Sequence, residues 1–237
     1  MENNIKIYGV YFICCINNYL DVVKEQLNVL NNGLINVTSK LIIFITMYNE
    51  HTCYELDNIL NSYNDKFILI KSPDNLFEKY AINNYKNYIK EEEYYLYYFH
   101  TKGITHKNDP SVNVFSSIRQ ILNYYTLLQY KINIKLLKTY DAIGCSLTLY
   151  PKKHFSGNFW WSKSSYLQKL QNINDKYLSP EMYILSNDDC KYVSLSNDTN
   201  HTLIENFTFP TKNEIKNNLT KEFIINEWGK ELISCCE

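Results

Sequence analysis

The sequence predicts an α/β fold with a mainly parallel central sheet and helices on both faces. Strand-like and helix-like segments alternate through the first hundred residues, as in successive β-α-β units. The segment Tyr94–Phe99 reads YYLYYF, which is typical of a strand buried on both faces. Right-handed crossovers between parallel strands would cover both sides of such a sheet.

Apolar runs define the elements of the first half. The predicted strands are Ile5–Ile16, Leu41–Met47, Lys66–Ile70 and Tyr94–Phe99. The predicted helices between them are Asp21–Leu30, Glu50–Leu60 and Leu76–Ile89. The first helix has apolar residues at helical spacing and is followed by Asn31-Asn32-Gly33, a good helix stop.

The second half is less regular. It begins with a polar loop, Ile104–Pro110, and a helical stretch in two pieces from Val112 to Lys138. The remaining predictions are a strand at Ala142–Leu149, helices at Lys163–Leu170 and Pro180–Leu185, a strand at Tyr192–Leu195 and a terminal helix at Phe223–Trp228.

Composition excludes several classes of protein. The formal net charge is -1, so there is no basic excess to bind nucleic acid. The seven cysteines form no CxxC pair, which predicts reduced thiols in a cytoplasmic compartment and no zinc site. No segment has the length of a transmembrane helix, and Ile5–Ile16 lacks the features of a signal peptide. Without GxGxxG or a Walker loop, dinucleotide oxidoreductases and P-loop enzymes lose support.

Chemically equipped residues follow the fourth predicted strand: His100, Thr101, Lys102 and Gly103. Ligands of open α/β sheets bind outside the carboxyl ends of the strands, so these side chains are candidates for ligand contact. Glycine permits a backbone bend at this point. The alternative is a strand that ends in a solvated turn.

A second motif, HFSGNFWW, spans residues 154–161 and contains two of the three tryptophans. Together with FHTKG at 99–103 it resembles a glycosyltransferase family of bacteria and large DNA viruses, over roughly residues 65–190. The resemblance implies a GT-A-like, Rossmann-related fold. It also implies transfer of a hexosyl or deoxyhexosyl group from a UDP-, GDP- or dTDP-sugar to a glycan or other hydroxyl acceptor, in polysaccharide biosynthesis. The enzyme would act in the cytoplasm, or in the host cytoplasm if viral.

On this interpretation the chain, 1–237, is one glycosyltransferase domain. Residues 1–103 form the nucleotide-binding half, 104–200 the acceptor and sugar half, and 201–237 a C-terminal extension. The oligomeric state is left open.

The HTKG turn is expected to bind the diphosphate of the sugar donor. Lys102 would neutralise the diphosphate as a point charge, and His100 would donate a hydrogen bond or bind a metal weakly. Most GT-A enzymes carry an Asp-x-Asp metal site at this place. Mn²⁺ and Mg²⁺ prefer carboxylate oxygens, which this turn lacks, so we favour a metal-free mechanism and leave Asp188 and Asp189 as metal-ligand alternatives.

The second motif is expected to bind the sugar and the acceptor. Indole faces stack on pyranose rings, and their N–H groups bond hydroxyls. The predicted sugar and acceptor residues are His154, Ser156, Gly157, Asn158, Trp160 and Trp161. The alternative is that both tryptophans are core residues, although strand alternation predicts that one faces inward and the other faces the cleft.

A carboxylate base is needed if the anomeric centre is inverted. The segment Pro180–Tyr183 resembles the short E-x-W helix of the family, with Tyr183 at the place of the tryptophan. Glu181 is therefore the predicted base, with Asp188 and Asp189 as alternatives. The alternative for each of these carboxylates is an exposed residue at a helix end, without a catalytic role.

Further donor-binding residues are predicted less directly. The resemblance points to Glu78, Thr101, Gly103 and Arg119, and Arg119 would either pair with a phosphate or lie on a surface helix face. Asn17, Lys71 and Asn75 are added because they lie at predicted strand ends.

Two other classes of function compete with this one. The first is a non-catalytic glycan-binding module on the same fold. The second is a nucleotidyltransferase, which would need a Gly-rich basic loop near the first strand, where this chain has Asn17-Asn18-Tyr19.

Overall fold

The computed structural model describes residues 5–51, 53–74, 76–104, 112–173 and 179–195. The predicted helix Phe223–Trp228, the 201–237 extension, Asn75 and nearly all of the predicted 104–110 loop lie outside these ranges. Within them, no helix is long and apolar enough to span a bilayer.

Nine strands are present in the described residues. They are β1 (Lys6–Cys14), β2 (Thr38–Thr46), β3 (Phe67–Lys71), β4 (Tyr94–His100), β5 (Ala142–Gly144), β6 (Leu147–Thr148), β7 (His154–Phe155), β8 (Trp160–Lys163) and β9 (Tyr192–Ser194). Seven of them form one sheet in the order β3-β2-β1-β4-β8-β5-β9, and β6 pairs with β7 in a small second sheet. In the large sheet β8 is antiparallel to both neighbours, and the other pairs are parallel.

The helices of the described ranges connect these strands. They are α1 (Tyr19–Leu30), α2 (Leu34–Val37), α3 (Tyr54–Asn61), α4 (Phe77–Asn84), α5 (Val112–Asn123), α6 (Tyr130–Leu136), α7 (Ser164–Leu167) and α8 (Ser179–Tyr183). Short 3₁₀ turns occur at Asn64–Lys66 and Tyr85–Tyr88. The mainly parallel α/β class predicted from the sequence is confirmed.

The core is centred on β1 and β4. All seven residues of β4 are buried, as the aromatic run predicts for a strand covered on both faces. The ring of Tyr11 on β1 stacks on Phe99 of β4 at a centroid distance of 4.1 Å. Gly9 leaves room for the Tyr97 ring on the neighbouring strand, which any Cβ at this position would strike.

The predicted two-piece helix from Val112 to Lys138 is present, and a π-helical turn at Tyr124–Leu128 separates its pieces. The wider turn leaves the Thr126 carbonyl free to accept a hydrogen bond from Trp161 Nε1 at 2.6 Å. The Asn133 amide donates to the adjacent Tyr125 carbonyl at 2.8 Å. The break in the helix therefore anchors the sheet strand β8.

Two predicted boundaries in the second half are wrong. The strand predicted at Ala142–Leu149 splits into β5 and β6 because Ser146 adopts a positive φ of 57° between them. The helix predicted to begin at Lys163 is preceded by strand β8 and is reduced to the single turn α7. Four residues are too few to show strand alternation, which explains why periodicity missed β8.

The strand order reverses between β1 and β4, and the space outside the carboxyl ends of these two strands is called the crevice below. The chain runs outward from β1 through β2 to β3 and then returns to place β4 on the other side of β1. Phe12 of β1 and His100 of β4 are register partners, so the carboxyl ends of these strands lie side by side. Ligands of open α/β sheets bind at such a reversal of strand order.

Candidate functional site

The turn after β4 is fastened to β1. The Thr101 N–H donates to the Phe12 carbonyl at 3.0 Å, and the Cys14 N–H donates to Thr101 Oγ1 at 3.1 Å. Thr101 is buried. These two contacts within the protein hold the turn beside β1, and the contact of Thr101 with a donor stays a prediction.

Lys102 and Glu181 meet beside this crevice. The Lys102 Nζ atom is 3.9 Å from Glu181 Oε1, and the two side chains are 25% and 27% exposed. Lys102 comes from the turn after β4, whereas Glu181 comes from the distant helix α8. The fold thus brings together two residues that the sequence predicts to be catalytic, as a loose pair that water reaches.

His100, the third predicted catalytic residue, is buried between two protein partners. Its Nε2 is 2.9 Å from the Gly157 carbonyl, and its Nδ1 is 3.5 Å from Glu78 Oε1. Burial lowers the pKa of His100, and the nearby Glu78 carboxylate opposes that shift. The neutral ring donates from Nε2 to the Gly157 carbonyl, so His100 joins the HTKG turn to the second motif, and its catalytic role stays a prediction.

Glu78, whose side chain is 20% exposed, is the centre of this junction. Its Oε2 accepts hydrogen bonds from the Tyr98 hydroxyl and from Asn158 Nδ2, each at 2.8 Å. Asn158 Oδ1 in turn accepts from Trp160 Nε1 at 3.0 Å. Glu78 and Asn158 thus bind each other within the protein, and the donor contact of Glu78 and the sugar contact of Asn158 stay predictions.

The tryptophans lie in the core. Trp160 is 0% and Trp161 1% exposed, and Trp160 stacks on Tyr98 at 5.3 Å. The expectation that one indole faces the cleft is wrong because β8 is an interior strand covered on both faces. His154 is also buried, with Nδ1 2.8 Å from the Lys152 carbonyl. Of the motif's predicted sugar-binding side chains, that of Ser156 stays partly exposed.

The two glycines of the motifs allow the bends that bring these segments together. Gly103 has φ 84° and Gly157 has φ 92°, both in the left-handed region that favours glycine. A Cβ on Gly157 would lie 2.7 Å from Leu122 Cδ1. The predicted backbone bend at Gly103 is confirmed, and Gly157 approaches α5.

Arg119 is 5% exposed and lies behind the HTKG turn. Its Nε and Nη2 atoms bind the Glu25 carboxylate at 3.2 and 2.9 Å, and its Nη1 donates to the Lys102 carbonyl at 2.9 Å. The alternative of a surface residue is wrong because Arg119 is buried, and the guanidinium binds protein acceptors, while the pairing with a phosphate stays a prediction.

Sequence reasoning missed three polar residues of this region: Glu25, Gln26 and Asn123. Gln26 falls on the apolar face of α1 and is fully buried. A polar residue among apolar ones at helical spacing was the available signal for it. Asn123 follows Arg119 by four residues, one helical turn on the same face.

The other predicted ligand residues are dispersed. Asn17 donates from Nδ2 to the Ile104 carbonyl at 2.7 Å, so it lies at the crevice but binds the turn. Lys71 is exposed, and its Nζ lies 4.0 Å from the centroid of the Tyr48 ring. Asp188 and Asp189 are also exposed, and Asp188 Oδ1 is 3.5 Å from Lys153 Nζ. In the described part of the chain, no group of three His, Cys, Asp or Glu residues is placed to hold a metal ion.

Comparison with solved structures identifies the fold. The mannosyltransferase PcManGT from Pyrobaculum calidifontis, solved in complex with GDP-Man and Mn²⁺, matches 81% of this chain at a TM-score of 0.50 and 9% identity. The match covers 55% of that enzyme, so this chain spans about half its length. A 4-diphosphocytidyl-2C-methyl-D-erythritol synthase from Anaerococcus prevotii matches 90% of this chain and 96% of its own at a TM-score of 0.49 and 11% identity. The sheet order and the first likeness identify a GT-A-like α/β fold.

Comparison at the level of sequence gives a family without an assigned activity. No curated protein matches the chain. A family model described as "Domain of unknown function (DUF8361)" matches residues 13–210, which is well over half of the sequence. The protein therefore belongs to that family.

Proposed function

We propose that this protein is a glycosyltransferase that moves a sugar from a nucleotide-diphosphate donor to a hydroxyl acceptor. The observation that carries the proposal is the Lys102–Glu181 pair, 3.9 Å apart and partly exposed beside the reversal of strand order. One residue supplies the positive charge that a leaving diphosphate needs. The other supplies the base that an acceptor hydroxyl needs.

In the proposed reaction the acceptor oxygen attacks the anomeric carbon of the donor sugar. The bond between that carbon and the diphosphate oxygen breaks, and the nucleoside diphosphate leaves with the electron pair. The Lys102 ammonium stabilises the negative charge that develops on the leaving oxygen. Glu181 takes the proton of the acceptor hydroxyl.

The long distance within the pair fits both roles. At 3.9 Å the ammonium and the carboxylate attract each other without a close hydrogen bond. An exposed pair of this kind contributes little to stability, at most about 1 kcal/mol. A donor diphosphate therefore competes readily for Lys102, and its arrival leaves Glu181 to the acceptor.

The fold and the cationic HTKG turn support the proposed class of donor. We propose a UDP-, GDP- or dTDP-linked hexose or deoxyhexose and a glycan acceptor, as in polysaccharide biosynthesis. The mannosyltransferase of similar fold carries GDP-Man with Mn²⁺. The proposed steps are those of the Lys102 and Glu181 side chains, and the titration described below is made both with Mn²⁺ and with EDTA.

The proposal is tested by titrating the protein with UDP, GDP and dTDP in a calorimeter, with Mn²⁺ or with EDTA. One nucleoside diphosphate is expected to bind, and Lys102→Ala should weaken it about tenfold because a charge-assisted contact is lost. Lys6→Ala is the matched control, since Lys6 pairs with Glu91 at the amino end of β1, on the opposite edge of the sheet.

Incubation with the matching nucleotide sugars and a panel of glycan acceptors completes the test. Release of nucleoside diphosphate together with a glycosylated product supports the proposal. The proposal fails if no nucleotide binds, or if Lys102→Ala binds as tightly as the wild type. Binding of oligosaccharide without nucleotide binding would identify a glycan-binding module instead.

A further inference from the structure

Arg119 is the one arginine in a chain whose other basic residues are lysines. The contacts of this side chain are ones that a lysine could not reproduce, because three different nitrogens donate hydrogen bonds. A guanidinium differs from an ammonium in its planar fork of donors, which binds a carboxylate through two parallel hydrogen bonds and still has a donor to spare. In the structure the Nε, Nη1 and Nη2 atoms of Arg119 each donate a hydrogen bond to an oxygen of the protein.

Two arms of the fork bind the Glu25 carboxylate on α1, through Nε at 3.2 Å and Nη2 at 2.9 Å. Asn123, one turn after Arg119 on α5, donates to the same carboxylate at 3.0 Å. Charge-assisted bidentate pairs fix orientation as well as distance. Glu25 and Asn123 therefore hold the guanidinium at one angle between α1 and α5.

The remaining arm binds the HTKG turn, because Nη1 donates to the Lys102 carbonyl at 2.9 Å. The neighbouring carbonyls of the turn are held in the same manner. Gln26 Nε2 donates to the His100 carbonyl at 3.0 Å, and Asn17 Nδ2 donates to the Ile104 carbonyl at 2.7 Å. Three alternate carbonyls of the turn are thus bound by side chains of the protein.

This arrangement has an electrostatic consequence for the turn. Carbonyl oxygens repel an anion, and here those of His100, Lys102 and Ile104 are occupied by donors from the protein. The Lys102 side chain is partly exposed on the same turn. Packing supports the fixed geometry, because a Cβ on Gly103 would lie 3.0 Å from Phe115 Cβ and 3.4 Å from Arg119 Nη1.

We propose that Arg119, oriented by Glu25, is a positioning residue that holds the HTKG turn so that Lys102 faces the diphosphate of the nucleotide donor. This inference rests on the proposed function. Arg119 itself touches no substrate and acts through Lys102. The requirement for arginine is the fork, so a lysine at this position keeps the charge and loses the geometry.

The test is a double-mutant cycle between Arg119 and Lys102, read out as the affinity for the nucleoside diphosphate that binds the wild type. Arg119→Lys in the wild-type background should weaken binding roughly tenfold. In the Lys102→Ala background the same substitution should change affinity less than about twofold, because a positioning residue has nothing left to position. Equal losses in both backgrounds, or no loss in either, would overturn the inference.

Glu25→Gln provides a second variant in case Arg119→Lys does not fold. It keeps the shape and removes the charge that orients the guanidinium, so affinity should fall about threefold in the wild-type background and not at all with Lys102→Ala. Glu55→Gln is the matched control on α3, where Glu55 forms an exposed pair with Lys24. An effect of Glu55→Gln equal to that of Glu25→Gln would contradict the inference.

Amide hydrogen exchange separates this inference from the proposed function. If the wild type binds no nucleoside diphosphate, the proposed function fails and the cycle has no signal. The rate of amide hydrogen exchange at residues 101–104 then tests the positioning role of Arg119. Selective acceleration there in Arg119→Lys supports the positioning role, and unchanged exchange overturns it.

Discussion

Two residues of the HTKG motif, His100 and Lys102, each lie beside a glutamate from elsewhere in the chain. The two pairs differ in their exposure to water and in their further hydrogen-bond partners. His100 is buried and the Glu78 side chain is 20% exposed, and the two residues have further protein partners in Gly157, Tyr98 and Asn158. Lys102 and Glu181 lie just beyond them, are about one-quarter exposed and are 3.9 Å apart. The first pair joins segments of the fold, and the second is accessible to a ligand.

The difference teaches how to sort residues within a functional motif. A polar side chain whose hydrogen bonds are all made inside the protein contributes to stability and order. A charged side chain that keeps contact with water retains capacity for a ligand. On the proposed function, Lys102 of the HTKG turn and Glu181 of α8 are the residues that meet the ligand, whereas His100, Glu78 and Asn158 are bonded to one another and to the rest of the fold. Substitutions that remove one residue at a time distinguish an effect on stability from an effect on activity.

The largest expected effect is on stability. Glu78→Ala should lower the free energy of unfolding by about 3 kcal/mol, because it leaves the Tyr98 hydroxyl and the Asn158 amide without their acceptor inside the protein. Urea denaturation followed by circular dichroism measures it. Glu50→Ala, at an exposed carboxylate, is the control and should change little. A loss below about 1 kcal/mol for Glu78→Ala would place Glu78 on the functional side of the comparison.

The next effect is on catalysis. Glu181→Gln should slow sugar transfer about a hundredfold, equivalent to about 2.7 kcal/mol in the barrier, because the amide accepts no proton. The free energy of unfolding should stay within about 0.5 kcal/mol of the wild type, since the side chain is partly exposed. Asp188→Asn is the matched control. A loss of transfer in Asp188→Asn with normal transfer in Glu181→Gln would reverse the assignment of the base.

Most of the fold of the first half was predictable, because long apolar runs and helix stops define its elements. Strands β1 to β4 lie within a few residues of their predicted positions. The second half was less predictable, because its elements are short and depend on tertiary contacts. Strand β8 has four residues and owes its place to pairing with β4 and β5, which no local pattern records.

For the candidate site, too, one part was predictable from the sequence and another part was not. Its location followed from the sequence, since polar residues after a buried strand mark the carboxyl edge of a sheet. The roles of individual residues did not follow, because a sequence shows side-chain type but not direction or partners. Trp160 and Trp161 resemble a sugar platform in the sequence and are core residues in the structure. Arg119 resembles a phosphate ligand and is bound by Glu25.

A pH-dependent effect is expected from the buried side chain of His100. Burial lowers the pKa of His100 in the folded protein below its ordinary value of 6.5. The unfolded chain therefore binds more protons below pH 6.5, and the free energy of unfolding should fall as the pH drops through that value. Denaturation curves from pH 7.5 to 5 measure the slope, which should be shallower in His100→Gln. His51→Gln, at an exposed turn, is the control, and equal slopes in His100→Gln and the wild type would contradict the prediction.

The smallest effect is expected at the opposite edge of the sheet, where Glu91 accepts hydrogen bonds from Lys6 and from the Tyr8 hydroxyl. The Lys6 contact first, and then that of Tyr8, lowers the pKa of Glu91 to about 2. The pair contributes stability above the unfolded value near 4.5, and this contribution is lost as the pH falls towards 2. Because the pair is exposed to solvent, Glu91→Gln should cost less than about 1 kcal/mol at pH 7.

Denaturation of wild type and Glu91→Gln at pH 7, 5 and 3.5 measures this cost, and the gap between the two proteins should narrow at the lowest pH. Nucleotide affinity should be unchanged, since Lys6 and Glu91 lie at the amino ends of the strands, away from Lys102. A Lys–Glu pair at one edge would thus affect stability alone, while the pair at the other edge affects activity alone. A loss of nucleotide affinity in Glu91→Gln as large as that in Lys102→Ala would remove the distinction between the two edges.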